Sequence, residues 1–482
     1  MILTVDVGTS VLKAALFEKD GTVVRHAESQ VALLLHQDPL RHEVDAGAWI
    51  RGLRSAMNAL GAGTAPRIDA VAVSGNGPTL VPASSDGAPL SNAMTWMDRR
   101  GVEEARVVAD LRGSACDASF FLPKALWLKH YKPEVYSRAR WLFSCPEYLT
   151  FILTGCAVTF LPTPDYTRSI LWDSEIVKAL GMDPGKFPPY AATGTEVGTV
   201  TATGAAATGV PQGARVFAGA PDFIVSLLGT ATVAAGRACV RSGTSEGINV
   251  CSPAPTTDRR LLCVSHLVHG CYNVSGFIST SGKALEWFKN AIGRAELSYD
   301  LLFDEVAKAH PGADRLLFLP YLAGERTPIW DPLARGAFIG LTLNHGGGEM
   351  TRAVVESVAY AIRDVVRVIE EAGVAVADLR ITGSPSRSAV WNQIKADVTG
   401  KRILVPRQAE SDLAGGVCLA LYGMGEYESI AAASEAIVTM GASFEPDAVR
   451  GRMYDEMFAL YKESYDGLRL VFQKMSAIRS ET

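Results

Sequence analysis

Short apolar runs that stop at small polar residues are the most regular feature of this chain. Residues Ile2–Val7 are mostly apolar and β-branched, and they predict a buried strand. The tripeptide Gly-Thr-Ser at 8–10 predicts a turn, and Val11–Phe17 predicts the returning strand. The chain therefore opens with a predicted hairpin whose tip is polar.

The same pattern occurs a second time. Residues 238–242 predict a strand, Gly-Thr-Ser at 243–245 its tip, and residues 247–251 the return. The two tips are separated by almost half of the 482-residue chain. This spacing predicts two similar domains that face each other across a cleft, each with one hairpin of this type.

The first tip carries residue types that suit a phosphate group. Gly8 allows close approach of backbone N–H groups, Thr9 and Ser10 add hydroxyl donors, and Lys13 adds positive charge. Asp6, at the end of the strand, would tolerate a phosphate only through a shared cation, for which Mg²⁺ is the natural choice. The alternative is an ordinary hairpin in which the aspartate caps its turn.

Helical spacing of apolar positions is clearest in two places. Asp45 predicts the N-cap of a helix whose apolar residues run from Ala46 to Leu60. Residues 350–372 predict a long helix buried against a sheet, ended by Gly373. Between the predicted elements, residues 102–200 indicate helices and loops inserted over a cleft.

Asp222 follows a predicted strand and opens a predicted helix. Pro221 suits the first turn of that helix, where the helix dipole also stabilises a carboxylate. One interpretation is structural, an acid that favours the helix start. The other is functional, because a carboxylate at such a junction can accept a proton from a hydroxyl group.

The predicted strand at 68–74 ends in the glycine-rich tip Gly75-Asn76-Gly77-Pro78-Thr79. The next segment suggests a sugar site. Trp96 and Asp98 pair an apolar plate with a hydrogen-bond acceptor, which suits the C–H face and the hydroxyls of a sugar. A core tryptophan beside a surface aspartate explains the same spacing.

Composition narrows the class of protein. The length predicts two large domains, 1–233 and 234–482, and hydrophobic residues at 48% with charged residues at 20% describe a globular protein. A net charge of −5 without runs of Lys or Arg argues against nucleic-acid binding. No apolar run is long enough to span a membrane, and no leader pattern is present, so a cytoplasmic location is expected.

The eight cysteines are scattered, as expected for reduced thiols. The cluster Cys263, His266, His269 and Cys271 superficially resembles a zinc site. Strand alternation puts His266 on the opposite face from the other three, which favours small core residues in two sheet strands.

Considered together, these motifs resemble the FGGY family of carbohydrate kinases, a branch of the actin-like ATPase superfamily. The resemblance runs through roughly residues 1 to 430. The matching segments are Asp6-Val7-Gly8-Thr9-Ser10, Trp96-Met97-Asp98, Gly219-Ala220-Pro221-Asp222, Gly243-Thr244-Ser245, residues 319–328 (LPYLAGERTP) and residues 388–397 (SAVWNQIKAD). The implied fold is α/β, with two ribonuclease-H-like domains of mixed sheets flanked by helices and a deep interdomain cleft.

The resemblance also implies roles for particular residues. Asp222 would be the general base, and Asp6 would hold Mg²⁺, through water. The phosphates of ATP would lie between Thr9, Ser10 and Lys13 on one side and Gly243 and Thr244 on the other. Gly282, Gly383 and Ser384 would border the adenosine. The sugar would lie mostly on the N-terminal domain, where the tip residues Asn76, Gly77 and Thr79 would select it.

Two departures from the family pattern bear on the substrate. Xylulose kinases usually carry Gly-Gln-Met-His-Gly where this chain has Gly75-Asn76-Gly77-Pro78-Thr79, and the adenosine loop is Gly383-Ser384-Pro385-Ser386 in place of a glycine run. The expected activity is ATP-dependent phosphorylation of a small sugar, with a pentulose such as xylulose as the first candidate. The oligomer considered is a homodimer. The alternatives are a gluconate or polyol kinase, a non-catalytic sugar sensor and an actin-like hydrolase.

Overall fold

The computed structural model describes residues 1–61, 67–113, 116–161, 163 and 172–478. The chain forms two compact units. The first contains residues 1–231, 265–269 and 411–438, and the second contains 232–264, 270–410 and 439–482. The sequence-based division at residue 233 had placed 411–438 in the second domain, whereas the chain returns there to pack in the first unit.

The first unit contains a mixed six-stranded sheet. Its first three strands are the predicted hairpin and its antiparallel neighbour, and two parallel strands and one antiparallel strand continue it on the other side. In spatial order the strands are Val23–Gln30, Val11–Phe17, Ile2–Val7, Ala70–Gly75, Arg215–Phe217 and Glu196–Thr199.

The second unit repeats this arrangement. Its sheet again joins an antiparallel meander, which includes the second predicted hairpin, to two parallel strands and one antiparallel strand. In spatial order the strands are Leu262–Ser265, Tyr272–Ile278, Glu246–Ser252, Arg237–Ser242, Asp378–Thr382, Arg402–Pro406 and Met440–Phe444. The prediction of two similar α/β domains with mixed sheets is confirmed.

Helices flank the first sheet, and seven short strands form one three-stranded and two two-stranded sheets beside it. The described helices of this unit are Ala46–Ala59, Val102–Arg112, Phe121–Tyr131, Pro133–Arg138, Cys145–Thr154, Ser174–Ala179, Ala202–Thr208, Asp222–Gly229, Ser411–Gly423 and Ile430–Ile437, with a 3₁₀ turn at Pro184–Lys186. The short strands are Leu33–Leu34, Glu43–Val44, Val81–Ala83, Ala93–Met94, Trp141–Phe143, Thr159–Leu161 and Tyr190–Ala192.

The second unit is organised in the same way around its long buried helix. Its described helices are Gly282–Ala291, Tyr299–Lys308, Gly347–Glu371, Ala389–Thr399 and Ala448–Ala477, with 3₁₀ turns at Ala313–Arg315 and Ser384–Arg387 and the strand pair Leu317–Leu319 and Ala337–Ile339. Within the described ranges, no helix combines the length and the apolar character that crossing a bilayer requires.

Strand alternation decides which face of the first sheet carries the polar site. Leu3, Val5 and Val7 join a core cluster on one face. Ile2 joins a second cluster that includes Leu413 and Val417 of the helix Ser411–Gly423. Asp6 shares the parity of Ile2, so its side chain points to the face that this late helix covers.

Candidate active site

Three segments of the first unit end side by side. The strands Ile2–Val7 and Ala70–Gly75 are parallel, with Asp6 opposite Ser74, and Gly75 forms a parallel bridge with Pro221. Because adjacent parallel strands end at the same sheet edge, Asp6 and Asp222 lie at that edge. The structure thus brings together the two carboxylates that the sequence singled out.

Asp6 is buried, with 3% of its surface exposed. Ser74 Oγ donates a hydrogen bond to its Oδ1 at 2.8 Å, and Lys13 stands directly opposite it in the hairpin register. Neighbours opposite each other in such a ladder project to the same face. The carboxylate is therefore oriented by a hydroxyl group and faces a strand position that carries a cation.

The first tip is a tight turn. The Gly8 N–H donates to Val11 O at 3.0 Å, and a Cβ at Gly8 would stand 2.6 Å from that oxygen, so a larger residue cannot occupy this position without rearrangement. Ser10 is exposed, and Thr9 is half-buried. The two hydroxyl residues of the predicted phosphate loop therefore lie at its surface.

Asp222 is the first residue of the helix Asp222–Gly229, and Pro221 is its N-cap. Pro221 was predicted in the first turn of this helix, but the helix begins one residue later, at Asp222. The Asp222 Oδ1 accepts a hydrogen bond from Phe223 N at 2.7 Å, at the end of the helix where the dipole favours negative charge. The hydrogen bond from Phe223 N orients the Asp222 carboxylate in the first turn of the helix.

The buried thiol of Cys145 lies close to both Asp6 and Asp222. Burial raises the pKa of Cys145 well above its usual value, and the negative charges of Asp222 and Asp6 raise it further. The Cys145 Sγ donates to Asn76 O at 2.9 Å. Cys145 therefore lies under the glycine-rich tip, within electrostatic reach of both acids.

The tip at 75–79 differs from the prediction in the use of its polar side chains. Asn76 and Thr79 are both buried; Thr79 Oγ1 donates to Asn76 Oδ1 at 2.6 Å, and Asn76 Nδ2 donates to Val7 O at 2.8 Å. These groups shape the loop, so they do not face outward as the predicted sugar contacts. Gly77 and Pro78 form the tip and share a small cavity with Pro221 and Phe223.

Trp96 and Asp98 differ in their exposure to solvent. The Trp96 ring is 40% exposed, whereas Asp98 is fully buried. Both oxygens of Asp98 accept hydrogen bonds from Arg100, whose guanidinium also contacts Glu43. Trp96 keeps the exposure that a sugar plate requires. The prediction of Asp98 as its partner acceptor is not supported, because this carboxylate is committed to an internal ion pair.

Lys124, on the helix Phe121–Tyr131, is a buried polar residue that the sequence analysis missed. Its Nζ donates to Pro78 O and to Thr95 O, each at 2.6 Å. Burial lowers the pKa of its ammonium to about 7, against the opposing effect of Asp98 and Asp117. A lysine among the apolar residues of 121–128 was the available signal.

The second unit brings its own predicted nucleotide residues together. The Gly282 N–H donates to Gly243 O at 2.9 Å, and the Ser281 N–H donates to Thr244 O at 3.0 Å. A Cβ at Gly383 would stand 1.9 Å from Ser242 O. The second Gly-Thr-Ser tip, the start of the helix Gly282–Ala291 and the Gly383–Ser384 loop therefore form one surface, with Thr244 and Ser384 exposed.

A buried ion pair supports this surface from below. Lys395 Nζ lies 3.1 Å from Glu246 Oε1 and 3.1 Å from Ser242 Oγ, and Ser242 Oγ donates to the same carboxylate oxygen at 2.7 Å. Lys395 and Glu246 are both fully buried. The network fixes the residues on either side of the second tip and was not predicted from the sequence.

The donor set suits a magnesium ion that is shared with phosphates. Across the ranges that the structure describes, no group of three or more His, Cys, Asp or Glu is arranged to hold a metal. Mg²⁺ commonly takes only one or two carboxylates and fills its other positions with phosphate oxygens and water. Asp6, with its single buried carboxylate beside the first tip, fits that requirement.

Family models match both halves of the chain: the N-terminal domain of the FGGY family of carbohydrate kinases at residues 1–229 and its C-terminal domain at 238–424. A xylulose kinase of Staphylococcus epidermidis is 27% identical, covering 96% of each chain, and a gluconokinase of Bacillus subtilis is 26% identical, covering 90% of each.

Solved structures agree. A xylulose kinase from Rhodospirillum rubrum is 28% identical, with a TM-score of 0.85 and coverage of 98% of this chain and 99% of that chain. A gluconate kinase from Lactobacillus acidophilus, 24% identical with a TM-score of 0.87, covers 98% and 99% and shows the same fold. The chain belongs to the FGGY family of carbohydrate kinases, phosphotransferases whose acceptor is a sugar hydroxyl group.

Proposed function

We propose that this enzyme transfers the γ-phosphoryl group of ATP to a hydroxyl group of a small sugar, with a pentulose such as xylulose as the first candidate. The observation that carries the proposal is the meeting of Asp6 and Asp222 at one sheet edge beside the tip at 75–79. Phosphoryl transfer needs a proton acceptor for the attacking hydroxyl and a way to neutralise phosphate charge.

In this proposal Asp222 accepts the proton of the sugar hydroxyl. Asp222 is the first residue of a helix, where the helix dipole favours negative charge, and the Phe223 N–H orients its carboxylate. A general base needs such an oriented carboxylate. Trp96 offers its exposed ring to the sugar, and the backbone at Gly77 and Pro78 borders the same region. Asn76, Thr79 and Asp98 act indirectly, by holding these segments in place.

The phosphate side is assigned to the first tip. Thr9, Ser10 and Lys13 are proposed to bind phosphate oxygens, and Asp6 is proposed to hold Mg²⁺. When bound, Mg²⁺ would supply charge neutralisation at the phosphates. The Ser74 hydroxyl orients the Asp6 carboxylate for this role.

The second unit is assigned to the rest of the nucleotide. Gly243 and Thr244 are proposed phosphate contacts, and Gly282, Gly383 and Ser384 are proposed to border the adenosine. Support comes from the close backbone packing of these residues, which leaves Thr244 and Ser384 exposed on one surface. The buried pair of Lys395 and Glu246 keeps that surface rigid.

A second candidate is a gluconate or polyol kinase. The Gly-Asn-Gly-Pro-Thr tip at 75–79 supports this second candidate, because it lacks the Met and His of the xylulose-kinase pattern. The relatives at comparable identity include both a xylulose kinase and a gluconokinase. Substrate identity is therefore a matter for direct assay.

The test is a panel of ketoses, polyols and sugar acids, assayed for ADP release with the wild type, Asp222→Asn and Asp300→Asn. Asp300 is the matched control, since it is also a first-turn aspartate, at the start of the helix Tyr299–Lys308. We expect sugar-dependent ADP release, a loss of roughly 10²–10⁴-fold in kcat for Asp222→Asn, and normal activity for Asp300→Asn.

Other outcomes would point elsewhere. Near-normal turnover in Asp222→Asn removes this residue as the base. ADP release that needs no sugar indicates an actin-like hydrolase. Sugar binding without any turnover in the wild type indicates a sensor.

A further inference from the structure

Lys124 joins two segments that are distant in sequence. Its fully buried Nζ contacts Pro78 O, in the tip at 75–79, and Thr95 O, next to Trp96. We call residues 75–79 the tip loop and residues 93–98 the tryptophan segment. Both hydrogen bonds are 2.6 Å long, which is short for N–H···O contacts.

The backbone also links the two segments, next to the tip loop. Leu80, which follows the tip loop, and Met94 exchange backbone hydrogen bonds of 2.8 and 2.9 Å. Lys124 adds a side-chain link between Pro78 O and Thr95 O. The lysine therefore fixes the separation between Pro78 and the backbone that carries Trp96.

Lys124 can keep both hydrogen bonds whether its side chain is a charged ammonium or a neutral amine. Asp98 and Asp117 favour its charged form, Arg99 and Arg100 oppose it, and burial lowers its pKa to about 7. An ammonium has three N–H donors and a neutral amine has two. Two carbonyl acceptors are thus served in either form, and the bridge does not depend on the charge.

We propose that Lys124 is a positioning residue of the sugar site, which sets the spacing between the tip loop and the Trp96 ring and thereby the affinity for the sugar. This inference rests on the proposed function, in which these two segments border the sugar. A purely structural role would affect stability alone, or would disturb the binding of sugar and ATP equally.

The experiment compares Lys124→Met with Lys129→Met. Lys129 lies on the same helix, and its Nζ also donates to two carbonyls, Leu180 O at 2.9 Å and Gly181 O at 2.7 Å, but neither belongs to the tip loop or the tryptophan segment. The readouts are the KM for the sugar, the KM for ATP, and hydrogen–deuterium exchange of peptides that cover 75–83 and 93–100.

For Lys124→Met we expect the sugar KM to rise roughly tenfold or more, and the ATP KM to rise clearly less. Some effect on the ATP KM is expected, because the Trp96 indole N–H donates to Thr9 Oγ1 in the proposed phosphate loop. Amide exchange in both peptides should rise at least about tenfold and stay constant elsewhere. Lys129→Met should match the wild type in all three readouts. If Lys124→Met does not fold, Lys124→Gln, which keeps an N–H donor, replaces it.

Each remaining outcome is decisive. Unchanged exchange in the two peptides, or a parallel rise of both KM values, overturns the inference, and failure of both Lys124 variants to fold assigns a structural role. If the wild type phosphorylates no sugar in the panel, the proposed function fails, while the exchange measurement still decides whether Lys124 holds the two segments.

Discussion

The indole N–H of Trp96 donates a hydrogen bond to Thr9 Oγ1 at 2.9 Å. The residue proposed as the sugar plate is thus bonded to a residue of the first Gly-Thr-Ser tip, 87 positions earlier in the chain. Because each partner restrains the other, the ring proposed to face the sugar and the loop proposed to face the phosphates are held in a fixed relative position.

The first prediction follows from that bond. Trp96→Phe keeps an aromatic plate and loses the donor, and Thr9→Val loses the acceptor. We expect each variant to lower kcat/KM for the sugar, and the double variant to lose less than the product of the two effects. The coupling should be about 0.5–1.5 kcal/mol, the usual net worth of such a bond. Thr9→Ser, which retains the hydroxyl group, is the control, and strict additivity would contradict the coupling.

The second prediction concerns the pair inside the tip loop. Thr79→Val removes the donor to Asn76 Oδ1 and leaves a buried acceptor without its partner. We expect a loss of about 1–3 kcal/mol in the free energy of unfolding, measured by urea denaturation. Thr351→Val is the matched control, because the buried Thr351 hydroxyl donates to a carbonyl of its own helix, Gly347 O. Equal losses in the two variants would speak against a special role for the pair.

The third prediction concerns the loop at Gly383. Its φ is +89° and its ψ is 172°, a region that essentially only glycine adopts, and an added Cβ would meet Ser242 O at 1.9 Å. Gly373 also has a positive φ, +82°, but open space around it. Gly373→Ala should cost about 1–2 kcal/mol of stability, and Gly383→Ala clearly more.

Only Gly383→Ala should also raise the KM for ATP, because its clash displaces the edge of the second Gly-Thr-Ser tip. The measurement is ATP-dependent ADP release at saturating sugar for both variants. An ATP KM that rises equally in Gly373→Ala would remove the assignment of Gly383 to the nucleotide site.

The fourth prediction uses the pKa of Lys124, which burial lowers to about 7 from the ordinary value of 10.5. Between these values the unfolded chain binds more protons than the folded chain, so the free energy of unfolding rises with pH. Relative to Lys124→Met, the wild type should gain up to about 1.4 kcal/mol per pH unit between pH 7 and 9. Denaturant melts of both proteins across this range provide the check, and a pH-independent difference would show that the lysine stays charged.

Local patterns in the sequence predicted much of the fold. Both hairpins form at Gly-Thr-Ser tips, Asp45 caps its helix by accepting from Gly47 N at 2.9 Å, and the long helix extends over Gly347–Glu371. Each of these features is set by residues within a few positions of one another. Residues 102–200 were predicted less well, because short strands such as Thr159–Leu161 pair only with distant partners.

Site residues could be predicted where a local motif sets the backbone. They could not be predicted where their position depends on contacts with residues far away in the sequence. Asp6 and Asp222 sit at strand and helix ends that the sequence marks. The burial of Asp98 could not be predicted, because its ion pair with Arg100 is completed by Glu43, more than fifty positions away. A lysine is usually solvated, so burial of Lys124 depends on carbonyls that only the folded chain brings to it.

The return of residues 411–438 to the first unit bears on how the protein is made. The helix Ser411–Gly423 packs so closely against its neighbours that a Cβ at Gly415 would stand 2.1 Å from Val225 O. During synthesis the amino-terminal sheet emerges long before this helix. The sheet face that Leu413 and Val417 cover in the folded protein stays uncovered until residues 411–438 have been made. The nascent chain therefore cannot complete its first unit before it has made most of its second, and folding of the first unit ends only late in synthesis.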